Sequence, residues 1–322
     1  MPDLGVIAAP WTDLFRLLAV PLYGWAALRD VRTRRVPNAA WLPVVVLGAV
    51  LLLVDAIVAW TAGGYLWFQF AVGTAVSLAL VIPLVYGLWL LGGFGGADAK
   101  AVMALAVLVP VFPQYQVGTT LLPVVDTTIG SFVLTVLTNA VVLGLLYPLS
   151  LAVLNLLRGD LSLVMAVGKR CSVDTIGQRH GRLLESPQGL VRQGLDLDAL
   201  RMYLRWRGTD LATLRANPDR MRDPASLPEA PNPPTDGAVA DGGTYDDPWG
   251  ANAFLEAIDG DAYGTDPATL RDGLETIVSR ETVWISPGIP FLLPLFGGLI
   301  VGLTFGDVLY AVLTAVGVVP PT

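Results

Sequence analysis

Residues 39–60 read AAWLPVVVLGAVLLLVDAIVAW, an apolar run in which Asp55 is the only charged residue. A helix rises about 1.5 Å per residue, so such a run can cross the roughly 30 Å hydrocarbon core of a bilayer. Five more stretches have the same character, at 10–28, 67–91, 101–112, 128–157 and 289–318. The whole chain has 322 residues, 54% hydrophobic and 15% charged, with a mean hydropathy of +0.61. A soluble domain is nearer a quarter charged. The sequence therefore predicts an all-α polytopic membrane protein with about six transmembrane helices in the lipid bilayer. The run 101–112 reaches only about 18 Å as a helix and reads as a short or re-entrant span. The run 128–157 is long enough to tilt or to extend into water.

The basic residues predict sidedness. With the N-terminus outside, Arg29, Arg32, Arg34, Arg35 and Lys100 face the cytoplasm, as do the fourteen bases from Arg158 to Arg280; Arg16 alone is left outside. No basic stretch precedes the first apolar run, so no cleavable signal peptide is expected. The domains expected are 1–157 with helices one to five, 158–283 as a mixed cytoplasmic domain, and 284–322 with helix six. Inside the cytoplasmic part, 160–190 reads as small β elements and 196–206 as a helix. The stretch 227–250, rich in Pro, Gly and Asp, reads as a disordered linker. Asp266 and Pro267 look like a cap and first position of a helix running to about 278 and feeding the last span.

Composition excludes several chemistries. One cysteine and one histidine, His180, leave no disulfide, no Cys- or His-cluster metal site and no Ser-His-Asp triad. A net charge of −7 and a pI near 4.7 argue against nucleic acid as a partner. No metal and no cofactor are expected. The 27 acids are mostly Asp and the 20 bases mostly Arg, a balance suited to a salt-rich cytoplasm.

An ionisable residue at membrane depth is costly and so is a functional candidate. The acids in or beside the spans are Asp13, Asp30, Asp55, Asp98, Asp126 and Asp307. Asp13, Asp55 and Asp126 sit near outer ends and read as solvated carboxylates, so that Asp55→Asn and Asp126→Asn are expected to be near neutral. Asp307 lies deeper and is a candidate for a functional or structural polar role inside the bundle. Asp30 closes span one, in Leu28-Arg29-Asp30-Val31-Arg32. Asp98 follows span three, after Gly92-Gly93-Phe94-Gly95-Gly96-Ala97. Two crossings separate them, so both face the cytoplasm. Pro37 and Asn38 supply a helix start for span two, Asn38 as its cap. The four glycines before Asp98 break the helix and permit close backbone approach. Two carboxylates held close cannot both ionise easily and share one proton. Such a pair can deprotonate a water and protonate a leaving amine without metal, thiol or imidazole.

Asp30 with the downstream Arg34-Arg35-Val36-Pro37-Asn38, and Gly95-Gly96-Ala97-Asp98-Ala99-Lys100, resemble the type IV prepilin peptidases, most closely the archaeal prepilin/pre-archaellin branch. Ser286-Pro287-Gly288-Ile289-Pro290-Phe291 at the last span fits the same branch. These are intramembrane-type aspartic proteases. The resemblance implies Asp30 and Asp98 as the catalytic pair, supported by Gly95, Gly96, Ala97, Lys100, Arg35, Pro37 and Asn38. Ala97 departs from the signature, which has its second glycine there. The implied substrates are prepilin/pre-archaellin-like precursors. Their short basic leader would be removed at the cytoplasmic face of the plasma membrane. No methyl-donor loop is visible, so a peptidase without methyltransferase activity is expected. The competing reading is a transporter or channel using Asp30, Asp98 and Asp307 as ion sites, and a third is a structural part of a filament base. The glycine-rich 91–100 further suggests a hinge that brings Asp98 to Asp30 when substrate binds.

Overall fold

The computed structural model describes residues 7–33, 36–91, 94–127, 130–228, 247–258, 262–287 and 290–319. It falls into two compact units, one of residues 1–147 with 290–322 and one of residues 148–289.

The first unit begins with a short strand, β1 (Ile7–Ala8), and two helices where one span was expected: α1 (Trp11–Arg16) and α2 (Ala19–Thr33). Pro21 explains the break. It has no N–H for the carbonyl of Leu17, and its ring crowds that carbonyl, so the helix restarts at Ala19. The helix also runs past residue 28, which puts Asp30 inside α2 rather than at its end. A 3₁₀ turn at Asn38–Ala40 leads into α3 (Trp41–Ala62), and neither start carries a side-chain cap, so Asn38 is not the expected cap.

After Gly63, α4 covers Gly64–Leu90. It contains a π segment at Val76–Val81, just before Pro83. Proline removes one ladder bond, and a widened turn accommodates the loss. Buried Ser77 there donates to the Pro110 carbonyl at 2.5 Å. The next helix, α5 (Gly96–Leu108), starts before the predicted 101–112 and takes Asp98 into its first turn. It crosses α3 closely at Gly48, where an added Cβ would lie 2.7 Å from the Leu108 Cα. Strands β2 (Tyr115–Val117) and β3 (Thr120–Leu122) pair antiparallel, and β2 also pairs with β1. Then α6 runs from Phe132 to Arg158.

Residues 148–289 form a unit with its own core, around Tyr203, Trp206, Trp249 and Phe254. Its strands β4 (Lys169–Ser172), β5 (Arg182–Leu183), β6 (Glu185–Ser186) and β7 (Gly189–Leu190) are the small β elements expected over 160–190. The helix expected over 196–206 is α7 (Leu197–Arg207), capped by Asp196. Short helices, among them α8 (Leu211–Ala216), a five-residue turn at Pro218–Arg222 and α9 (Ala251–Glu256), precede α10 (Pro267–Ser279), which starts at the expected Asp266 cap.

Two expectations need correction here. The helix α10 does not feed a span; it stops at Ser279 and is followed by β8 (Thr282–Ser286), which lies between β4 and β5. Alternation was hidden because Val283, Trp284 and Ile285 are buried together. The expected linker 227–250 is also shorter at its end. Residues 229–246 lie outside the described residues, but Trp249 is fully buried, and Asp247 accepts from the Asn252 and Ala253 N–H groups. A Pro-, Gly- and Asp-rich composition is also what a capped, tightly turned helix start requires.

The chain returns to the first unit as α11 (Leu292–Thr304) and α12 (Val308–Ala315), again two helices where 289–318 was read as one. Gly306, at φ 102°, breaks them, and the Val125 backbone pairs in the gap. Asp307, whose role the sequence left open, is buried and takes a structural polar role. It caps α12 by accepting from the Tyr310 N–H at 2.8 Å, and it accepts from the Thr135 hydroxyl at 2.8 Å. Among the described residues three helices, Asn38–Ala62, Gly64–Leu90 and Phe132–Arg158, are long and apolar enough to cross a membrane, against the six spans expected.

Candidate functional site

Two hydrogen bonds fix how the segment carrying Asp30 lies on the helix carrying Asp98. Arg16 Nε donates to the Leu108 carbonyl at 3.0 Å, and the Tyr23 hydroxyl donates to the Ala101 carbonyl at 2.7 Å. Residue numbers rise from α1 into α2 as they fall along α5, so the α1–α2 segment runs antiparallel to α5. Asp30 lies two turns beyond Tyr23 on the same stripe of α2, and Asp98 lies three residues before Ala101 on α5. Both are therefore on the same side of the Tyr23–Ala101 contact. At about 1.5 Å per residue, their Cα atoms differ by about 6 Å along the helix axis. Cα–Cβ bonds tilt toward a helix N-terminus, so on antiparallel helices these two side chains lean toward one another's level.

The environments of the two differ. Asp30 is buried, at 8% exposure, on the helix against which α11 packs. Asp98 is half-buried in the first turn of α5, where the helix dipole favours a carboxylate. Its Oδ2 folds back over Gly95, 2.7 Å from where a Cβ on that residue would sit. Gly95 is needed for this close approach and not for a left-handed backbone, since its φ is −65°. Gly96 faces Trp89, whose Nε1 would be 3.3 Å from an added Cβ.

Ala97 sits in the same helical turn, so the departure from a second glycine places no demand on the backbone. The expected hinge over 91–100 narrows accordingly: 96–100 are helical, and Phe94 packs edge-on against Phe291 at 4.9 Å. Gly92 and Gly93 lie outside the described residues, as does Arg35. Lys100 and Asn38 do come together, the ammonium donating to the Asn38 side-chain oxygen at 2.7 Å. This ties the start of α5 to the chain entering α3, just past Pro37.

At the far end of α5 the sequence reading of Asp13 and Asp55 is overturned. Arg16, only 3% exposed, pairs with Asp13 at 2.5 Å and also with Asp55. Asp13 accepts from the Gln114 N–H at 3.0 Å, and the Tyr115 hydroxyl donates to its carbonyl. Asp13 is buried and Asp55 part-buried, both partners of one guanidinium and neither a solvated end. Arg16 itself was the signal. A single base within an apolar run needs an acid, and Asp13 is three residues away on the same helix face. Tyr23 was missed as well; its only sequence signal is the seven-residue spacing to Asp30. Asp126 is exposed, as expected. Among the described residues no group of three or more His, Cys, Asp or Glu is placed to hold a metal.

Comparison with known proteins finds a similarity within the first part of the chain. Residues 17–149 match the type IV leader peptidase family. The chain is also similar to a preflagellin peptidase of Methanococcus voltae, 28% identical over 137 residues, covering 42% of this chain. The match spans about half of that relative's length, 54%. The resemblance read from Asp30, Asp98 and their flanking residues is borne out over this segment, which contains both aspartates.

Proposed function

We propose that this protein is a membrane aspartic endopeptidase that removes the short basic leader of prepilin/pre-archaellin-like precursors. The cut falls at the cytoplasmic membrane face. The observation that carries the reading is the antiparallel pairing of α2 and α5 through Tyr23 and Ala101, inside the segment that matches the leader peptidases. It supports Asp30 and Asp98 as partners, because both aspartates then fall at one end of one helix pair.

In this mechanism the two carboxylates hold one proton between them. The ionised one takes a proton from a water, whose oxygen attacks the scissile carbonyl. The protonated one gives its proton to the departing amide nitrogen, which leaves as the amine. The catalytic groups are Asp30 and Asp98; Gly95 and Tyr23 position them. Membrane insertion suits the substrate class, because such precursors continue into an apolar helix immediately after the cut. Supporting the start of α5 is the role proposed for Gly96, Ala97, Lys100, Arg35, Pro37 and Asn38.

Co-expression with a candidate precursor, following its size shift, tests the reading. Wild type converts the precursor, and Asp30→Asn and Asp98→Asn do not, although both still insert in the membrane. Conversion by either variant overturns the pair.

A further inference from the structure

We propose that the turn at residues 161–167 is a membrane-interface anchor for the unit formed by residues 148–289. Three of its side chains stand out into solvent: Leu161 at 69%, Leu163 at 97% and Val167 at 52% exposure. Isolated exposed leucines are ordinary, but these continue an apolar surface on the last turns of α6, where Leu149, Val153, Leu156 and Leu157 are also exposed. That helix is long and apolar enough to cross a bilayer, so its final turns and the turn that follows stand where the helix leaves the lipid.

The turn is built to hold these side chains out. Buried Asn155 donates both to the Met165 carbonyl at 2.7 Å and to the Gly168 carbonyl at 2.8 Å. The Gly168 N–H donates to the Val164 carbonyl, and a Cβ on Gly168 would lie 2.8 Å from Leu184 and 3.1 Å from Trp284. The turn therefore hangs from the helix above it and rests on the unit's own sheet. An apolar turn fixed by a buried amide loses little further entropy when it enters an apolar phase.

Charge selects the occupant. Residues 158–170 carry Arg158, Lys169 and Arg170 against one acid, Asp160, whereas 158–283 as a whole carries fourteen bases against twenty acids. A local basic rim around an apolar tip, inside an acidic unit, fits the interface of a bilayer with anionic headgroups. The tip enters the acyl boundary and Arg158 and Lys169 reach the phosphates, while Arg170 pairs with Asp160 at 3.4 Å and donates to the Thr282 hydroxyl.

The experiment uses the full chain with Cys171, its one cysteine, changed to serine. Leu163→Cys, or Val167→Cys if the first gives too little protein, is labelled with a polarity-sensitive fluorophore. The protein is reconstituted in phosphatidylcholine–phosphatidylglycerol bilayers containing a headgroup-proximal nitroxide lipid. A label at exposed Ala212 serves as the reference. The expected result is blue-shifted emission at 163, about threefold stronger nitroxide quenching than at 212, and protection from iodide. Water-like emission open to iodide overturns the proposal. Protection that appears only after a precursor helix is added to the bilayers also overturns it, assigning the surface to a protein partner.

Discussion

Aspartates gather near both ends of α5 in the first unit, in two different settings. At the C-terminal end, Asp13 and Asp55 close on Arg16, and the Gln114 N–H completes the set. At the N-terminal end, Asp30 and Asp98 sit on two antiparallel helices. The base nearest in sequence to Asp98, Lys100, is hydrogen-bonded to Asn38. Sequence parity treats both pairs alike, since in each the acids come from different helices and fall at one end. At the Asp13–Asp55 end a guanidinium stands between the carboxylates, and a cation-bridged pair is a clamp. The proposed role of Asp30 and Asp98 asks instead that two carboxylates share a proton.

The largest expected effects sit at these two ends and fall on different observables. Asp30→Asn or Asp98→Asn is expected to lower precursor cleavage by about 10²–10⁴-fold, the range of a lost general acid or base, with thermal stability in detergent unchanged. Arg16→Met is expected to do the reverse at first order. It strands one buried and one part-buried carboxylate, so stability falls by about 3–5 kcal/mol, read from thermal unfolding in detergent. Asp55→Asn, expected from sequence to be neutral, is now expected to destabilise as well. An unchanged melting point for Arg16→Met would dissolve the contrast between the pairs.

Gly95→Ala sharpens it. The added methyl meets Asp98 Oδ2, so the carboxylate must move while the helix stays intact. Cleavage is expected to fall about tenfold with little change in stability, in line with the sensitivity of catalysis to small displacements. Wild-type cleavage rates in this variant would mean that the position of the Asp98 carboxylate is not critical. Tyr23→Phe is smaller. It removes one buried hydrogen bond, about 1 kcal/mol, and loosens the contact that sets α2 against α5. A severalfold fall in turnover without a matching rise in the substrate concentration needed for half-maximal rate is the expected signature.

The smallest expected effect lies in the other unit and is a control on both ends. Glu275 accepts from Arg222 at 2.7 and 2.8 Å and from Trp249 at 3.0 Å. The Arg222 hydrogen bonds hold its carboxyl below the usual glutamate range, with Trp249 adding to them. A carboxyl depressed in the folded state contributes stability above its unfolded pKa, and loses it as pH falls through the folded one. Unfolding of this unit should therefore become easier below the ordinary carboxylate range, and Glu275→Gln should flatten that acid limb. Asp196 works in the opposite sense, since burial raises its carboxyl. Melting curves of wild type and Glu275→Gln against pH check this; identical acid limbs would show that Glu275 does not set it.

The long apolar runs, the helix over 196–206, the Asp266 helix cap and the small β elements were all legible in the sequence. Each rests on local signals: hydrophobic length, hydrophobic spacing, or a cap residue beside the helix it starts. What only the tertiary structure decided depends on partners far along the chain. The first and last spans split where Pro21 disallows a bond and where Val125 inserts its backbone beside Gly306. Trp249 left the expected linker because a core formed by α7, α9 and α10 encloses it. Asp13 and Asp55 ceased to be solvated ends once Arg16 turned out to be buried between them. A buried charge is read from what surrounds it in space, and no spacing along the chain records that.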